Sequence, residues 1–218
     1  MVERNECRMI KAAQEAEGKG ADLVELRLDS LELTTGLTGR IFDNLAALSI
    51  PKIATIMPST LFGGFKRKDE ERASLLMEAA DFVDYVDLGS EMGENLLGEC
   101  LEGIKSSGAR PIISWHSLKP LSLEEITSFV RSFSGRAVCK VVMPAERYSD
   151  NLVALNSCSS LEGCRRIVFC YGVLGACSRI LSPFFGSEWA YASLKKGREG
   201  APGQLDMMTM RRLQEAFI

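Results

Sequence analysis

Apolar residues fall into short, nearly continuous runs, separated by longer stretches in which apolar and polar positions alternate with a helical period. The short runs predict strands at Asp22 to Asp29, Pro51 to Pro58, Tyr85 to Leu88, Pro111 to His116, Ala137 to Pro144, Arg165 to Gly172 and Glu188 to Leu194. The amphipathic stretches predict helices at roughly Arg4 to Gly18, Lys68 to Asp81, Glu91 to Lys105, Ser122 to Phe133, Glu146 to Ser157 and Leu205 to Phe217. Ser122 and Glu125 have the spacing of a capping box, in which each side chain takes up a backbone N–H of the other residue.

Strands that are apolar along their whole length and alternate with helices indicate a parallel sheet covered by helices, an α/β fold. A doubly wound sheet uses five or six strands, whereas this repeat count suits a (β/α)8 TIM-like barrel, whose active site is built from residues at the C-terminal strand ends. Glu25, Arg27, His116 and Lys140 all lie within or at the end of predicted strands, which a barrel would bring to one mouth. The strand that should open an eight-stranded barrel is not evident, because the first recognisable element is helical. No linker-like segment interrupts the chain, so residues 1–218 are expected to form a single domain.

Composition narrows the class. With 26 basic and 29 acidic residues, a net charge of -3 and a pI near 5.4, the chain has no nucleic-acid footprint. It lacks an apolar run of membrane-spanning length, and its N-terminus lacks the apolar core of a signal peptide, so neither nucleic acid nor membrane is an expected partner. Seven scattered cysteines without a C-x-x-C pair indicate neither a disulfide framework nor a zinc site, and a reducing cytoplasm fits best. Cys139 should face a helix layer, since its neighbour Lys140 points the opposite way.

Lys140 lies inside the run Ala137 to Pro144, where an ammonium group would be desolvated. Burial disfavours the charged form and so favours a nucleophilic free amine, the requirement for a Schiff base. A strand lysine can equally snorkel to water at the open end of a sheet. His116 is the only histidine, so no poly-histidine metal site exists. Alone it could be an ordinary structural imidazole; one helical segment separates its strand from that of Lys140, so a βα repeat would set the two strand ends side by side.

Taken together, Glu25-Leu-Arg-Leu-Asp29, His116, Lys140, Ser178-Arg179, Phe185-Gly-Ser187 and Ala201-Pro-Gly-Gln204 resemble, in order and over nearly the whole chain, the type I 3-dehydroquinate dehydratases. The resemblance implies dehydration of 3-dehydroquinate to 3-dehydroshikimate in the shikimate route, with no metal and no organic cofactor. It also implies that Lys140 forms the Schiff base, that His116 serves both proton transfers, and that Arg179 holds the carboxylate of a small substrate. Glu25 and Arg27 would contact substrate hydroxyls and Gln204 would reach the substrate from a closing loop. A homodimer is an assembly that the resemblance leaves open. On the residues alone, Glu25 and Arg27 could instead be a buried ion pair, Arg179 a helix cap and Gln204 a turn residue.

The chain departs from the family pattern at Gly89, where a glutamate is usual, at Met57 (arginine), Gly200 (serine) and Tyr171 (methionine). Asp87 or Glu91 could replace the missing carboxylate, and Lys66, Arg67 or Lys68 the missing cation. These changes keep two alternatives open: a different Schiff-base lyase or aldolase on the same barrel, and a catalytically weakened paralogue that binds a metabolite of that pathway.

Overall fold

A computed structural model describes residues 2–3, 5–31 and 45–217. Its contacts divide the chain into two compact units, residues 1–112 and 113–218. The first contains α1 (Glu6–Gly18), β1 (Val24–Arg27), β2 (Lys52–Thr55), α2 (Asp69–Ala80), β3 (Tyr85–Gly89) and α3 (Glu94–Ser107). β4 (Arg110–His116) begins in the first unit and ends in the second, which continues with α4 (Leu123–Ser132), β5 (Val138–Pro144), α5 (Tyr148–Ser160), β6 (Arg166–Tyr171), α6 (Ala176–Leu181) and α7 (Met207–Glu215). Six of the seven expected strands form, and neighbours in sequence are neighbours in the sheet.

In the first unit β1, β2 and β3 run parallel, with Glu25 opposite Ile53, Arg27 opposite Thr55, and Thr55 opposite Asp87. Because strand side chains alternate, this register places Glu25, Arg27, Thr55 and Asp87 on one face. The other face carries Val24, Leu26, Ala54, Val86 and Leu88, all buried. Each such aliphatic side chain contributes about 1.5–3 kcal/mol on burial, and the whole set fixes the register, since a one-residue slip would exchange the two faces.

The second unit repeats the arrangement. Lys140 stands opposite Ile167 and Val142 opposite Phe169 on one face of β5 and β6. The opposite face sends Cys139, Val141, Met143 and Val168 into a core with Ile126 and Val130 of α4. Cys139 thus packs against the helix layer, its thiol donating to the Val130 carbonyl at 3.6 Å. The expected capping box opens α4: Ser122 Oγ accepts from the Glu125 N–H at 3.2 Å, and Glu125 Oε2 accepts from the Ser122 N–H at 2.8 Å.

One expectation is corrected. Glu188 to Leu194 is not a strand: the Glu188 N–H donates to the Arg166 carbonyl, and further on only an isolated bridge pairs Ser193 with Asp206. Within it Tyr191 turns toward β6 and packs on Phe169 with ring centroids 5.9 Å apart. At the other end of the chain, α1 occupies the described N-terminal residues, so no strand precedes it among them. Arg4, the expected start of that helix, lies outside the described residues. Asn5 caps α1, its side chain accepting from the Cys7 N–H.

Candidate active site

In the first unit the site is organised by a carboxylate that had no assigned role. A 3-10 turn at Leu28–Ser30 follows β1 directly and folds Asp29 back beside Arg27. The Arg27 guanidinium donates from Nε to Asp29 Oδ1 and from Nη2 to Oδ2, both at 2.8 Å. The same two oxygens accept the Met57 N–H at 3.1 Å and the Gly64 N–H at 2.9 Å. Asp29 therefore ties the loop after β2 to the end of β1. Gly64 is required there, since a Cβ on it would collide with the Asp29 carbonyl.

Glu25 and Arg27 do not form the hydrogen-bonded ion pair considered above. Glu25, half-buried, accepts from the Thr55 hydroxyl at 3.2 Å, while Arg27 is claimed by Asp29. Burial pulls the Arg27 guanidinium down, but the hydrogen bonds and charge of Asp29, with the charges of Glu25 and Asp87, hold it above its ordinary value. It is a permanent cation, and the bidentate fork fixes its plane.

The departures from the family pattern have structural counterparts. A side chain on Gly89 would run into the Glu91 carboxylate, so that carboxylate occupies the space which glycine leaves open. It is held there by Arg72 Nη1 at 2.8 Å, from a side chain that is itself buried. Near Met57, Arg67 pairs with Glu71 at 3.2 Å and lies over the Phe65 ring, while Lys66 and Lys68 are exposed.

The second unit holds the remaining candidates. Lys140 is 3% exposed, so its amine is enclosed by protein and does not snorkel to solvent. Its Nζ lies 5.1 Å from the centroid of the Tyr191 ring. His116 ends β4 and is half-buried. The Ser117 N–H donates to the Val142 carbonyl at 2.8 Å, which in a parallel ladder sets His116 beside Val142, on the face that carries Lys140.

Arg179 sits on the short α6 and is 2% exposed. Its guanidinium carbon lies 4.6 Å over the Phe169 ring, and among the described residues its Nε has no hydrogen-bond partner. Burial without a neighbouring carboxylate pulls it down to about 10, still cationic at neutral pH. Among the described residues it has no carboxylate partner, and a buried cation in that state is suited to an anion. Asn151, not singled out in the sequence, and Ser178 hold Arg179 in place. Asn151 of α5 accepts the Ser178 N–H at 3.0 Å and donates to the Leu174 carbonyl at 2.8 Å. Ser178 Oγ accepts the Cys170 N–H at 2.9 Å and donates to the Gly175 carbonyl, tying α6 to the end of β6.

Gln204 closes its own loop: its Oε1 accepts the Gly200 N–H at 2.7 Å, leaving the amide NH2 as the donor that could meet a ligand. The loop is fastened to the turn after β6, where the Gly172 N–H donates to the Pro202 carbonyl at 3.0 Å. Gly203 makes this approach with φ of +74°, and a Cβ there would overlap the Gly172 carbonyl. Among the described residues no group of three or more His, Cys, Asp or Glu side chains could hold a metal ion, and no helix is long and apolar enough to cross a membrane.

Known proteins share this framework. A family profile described as Type I 3-dehydroquinase matches residues 1–217. The chain is 30% identical over 215 residues to the 3-dehydroquinate dehydratase of Methanothermobacter thermautotrophicus, covering 98% of this chain and 93% of the relative. It is 31% identical over 212 residues to that of Dehalococcoides mccartyi, covering 94% and 91%. The solved type I 3-dehydroquinate dehydratase of Clostridium difficile superposes with a TM-score of 0.89 at 21% identity, over 99% of this chain and 89% of the other. The 3-dehydroquinate dehydratase of Aquifex aeolicus gives a TM-score of 0.81 at 27% identity, over 97% and 94%. These neighbours are TIM barrels, the α/β class expected from the alternation of strands and helices. With the profile spanning nearly every residue, the chain belongs to the type I 3-dehydroquinase family.

Proposed function

We propose that this chain dehydrates 3-dehydroquinate to 3-dehydroshikimate through a Schiff base on Lys140. The observation that carries this reading is the enclosed amine of Lys140 within the same unit as a buried arginine, Arg179, that pairs with no carboxylate among the described residues. A cyclic keto acid offers the matching pair of groups, a carboxylate for the guanidinium and a carbonyl for the amine.

The lone pair of the neutral Lys140 amine attacks the ring ketone. The carbonyl oxygen takes one proton from the nitrogen and one from an acid and leaves as water, and a protonated iminium remains. His116 then removes a proton from the adjacent carbon, and the C–H electron pair moves into the ring as the iminium collapses to a neutral enamine. Imidazole suits this step because its protonation changes near neutrality. The same imidazolium returns its proton to the hydroxyl on the next carbon, which departs as water while the nitrogen lone pair re-forms the iminium. Hydrolysis releases the unsaturated ketone and restores the amine. Arg27, Glu25 and the Gln204 amide would hold substrate hydroxyls, and the Gln204 loop would exclude water. A cytoplasmic setting suits a chain whose seven cysteines are all free thiols.

The test is direct. Incubation with 3-dehydroquinate should produce the ultraviolet absorbance of the conjugated ketone, and borohydride should trap an adduct that adds mass at Lys140. Lys140→Ala should lose both signals, and normal turnover by that variant would refute the assignment. An adduct with another carbonyl compound, without turnover of dehydroquinate, would identify a different Schiff-base lyase on this fold.

A further inference from the structure

Four side chains of the second unit form a continuous row. The Tyr191 ring lies over the Lys140 amine at 5.1 Å, the Phe169 ring packs on Tyr191 at 5.9 Å and 45°, and the Arg179 guanidinium lies over Phe169 at 4.6 Å. The sheet register accounts for half of the row, because Phe169 stands opposite Val142 and so shares the face of Lys140. Tyr191 completes it from the irregular segment after α6. Phe169 is buried and Tyr191 half-buried, so both rings replace water along the line between the Lys140 amine and the Arg179 guanidinium.

Resting on the Schiff-base reading of Lys140, we propose that the Tyr191–Phe169 pair positions the Lys140 amine and the Arg179 guanidinium, and that the Tyr191 ring face stabilises the protonated iminium. An aromatic face carries negative potential and attracts a cation within about 6 Å of its centroid, most strongly where water is excluded. The neutral amine gains little from that field and the iminium gains fully, so the ring shifts the condensation equilibrium toward the covalent intermediate. Phe169 performs a separate task. It supports Tyr191 on one side and the carboxylate-binding arginine on the other, which fixes the spacing between the group that grips the substrate and the group that attacks it.

Replacing Tyr191 by Phe and then by phenylalanines with increasing numbers of ring fluorines keeps the shape while draining the face of negative potential. With 3-dehydroquinate and borohydride, the fraction of protein trapped at Lys140 should fall stepwise along this series, by about two- to thirty-fold in the condensation equilibrium. Thermal melts should stay constant across it, so a folding defect does not enter. Tyr191→Leu should trap less than Tyr191→Phe. Phe169→Leu should raise KM several-fold with a smaller change in kcat, because it loosens Arg179. Trapping that is indifferent to fluorination, or a KM untouched by Phe169→Leu, overturns the corresponding half of the proposal. Wild-type protein that turns substrate over without any adduct sinks the Lys140 reading itself, whereas normal wild-type trapping beside an indifferent series sinks only this inference.

Discussion

Asp29→Asn is the sharpest perturbation available in the first unit. The wild-type carboxylate accepts four N–H groups, two from Arg27 and one each from Met57 and Gly64. The asparagine amide is isosteric but turns one oxygen into an NH2, so in either flip a donor faces two donors. Both partners are buried, with side-chain exposures of 11% for Arg27 and 2% for Asp29, so water cannot fill the gap. Removing one member of a buried pair costs about 3–5 kcal/mol, because the remaining charge is left uncompensated. For a chain of this size that corresponds to a Tm lower by roughly 10 °C. Urea unfolding followed by tryptophan fluorescence measures the cost, and hydrogen exchange at the Met57 and Gly64 amides shows where it falls. Arg67→Ala is the control: it breaks an exposed ion pair with Glu71 and should cost under about 1 kcal/mol. If Asp29→Asn unfolded at the wild-type midpoint with undiminished protection at those two amides, the clamp would be a crowding of atoms without energetic content.

Three further outcomes are expected. Arg179→Met should raise KM at least about ten-fold, since a charge-assisted bond is worth about 1.5–3 kcal/mol, yet leave the urea midpoint unchanged or higher, because it removes a buried charge that pairs with no carboxylate among the described residues; a large loss of stability would reveal a structural partner. Gly203→Ala should raise KM with little change in melting temperature, as φ of +74° and the Gly172 carbonyl both oppose a Cβ and the loop must lift; wild-type KM would mean that the loop does not meet substrate. In native protein at pH 8 a thiol reagent should modify the exposed Cys7 and Cys177 quickly, whereas Cys139, raised to about 12 by burial, and Cys158 and Cys170, each raised to about 11, should react only on unfolding. Fast native modification of those three would contradict their burial.

What could be read from the sequence divides along a physical line. Strands buried on both faces announce themselves as continuous apolar runs, and six were found within a few residues of their ends, together with the Ser122–Glu125 cap, because those signals are local. The polar candidates are visible for the opposite reason: Glu25, Arg27, His116 and Lys140 interrupt apolar strands, and Arg179 and Gln204 stand in recognisable motifs. The supporting residues were not visible. Asp29 lay inside the quoted Glu25–Asp29 motif, but nothing in its neighbours foretells bonds to Met57 and Gly64, which are 28 and 35 residues away. Asn151 looks like an ordinary helical polar residue until the fold brings Ser178 to it. Tyr191 misled outright, since its alternation with small residues reads as a strand, whereas its ring packs on Phe169 from a segment that is not one.

The departures at Gly89 and Met57 are linked by the same logic. Each lacks a charged side chain that the resemblance leads one to expect, and at position 89 a neighbouring carboxylate takes the space. Glycine at 89 admits the Glu91 carboxylate, held by the buried Arg72, and Met57 contributes its backbone N–H to the Asp29 clamp that orients Arg27. The Glu91 carboxylate is engaged by Arg72, so one of its oxygens is already committed to a buried guanidinium. Under the proposed function, substrate recognition in the first unit would fall on Arg27. That follows from its geometry, because Asp29 uses Nε and Nη2 and leaves Nη1 as the guanidinium nitrogen outside the fork. Its two N–H groups, held in the plane that the fork fixes, would donate to hydroxyls lying in that plane.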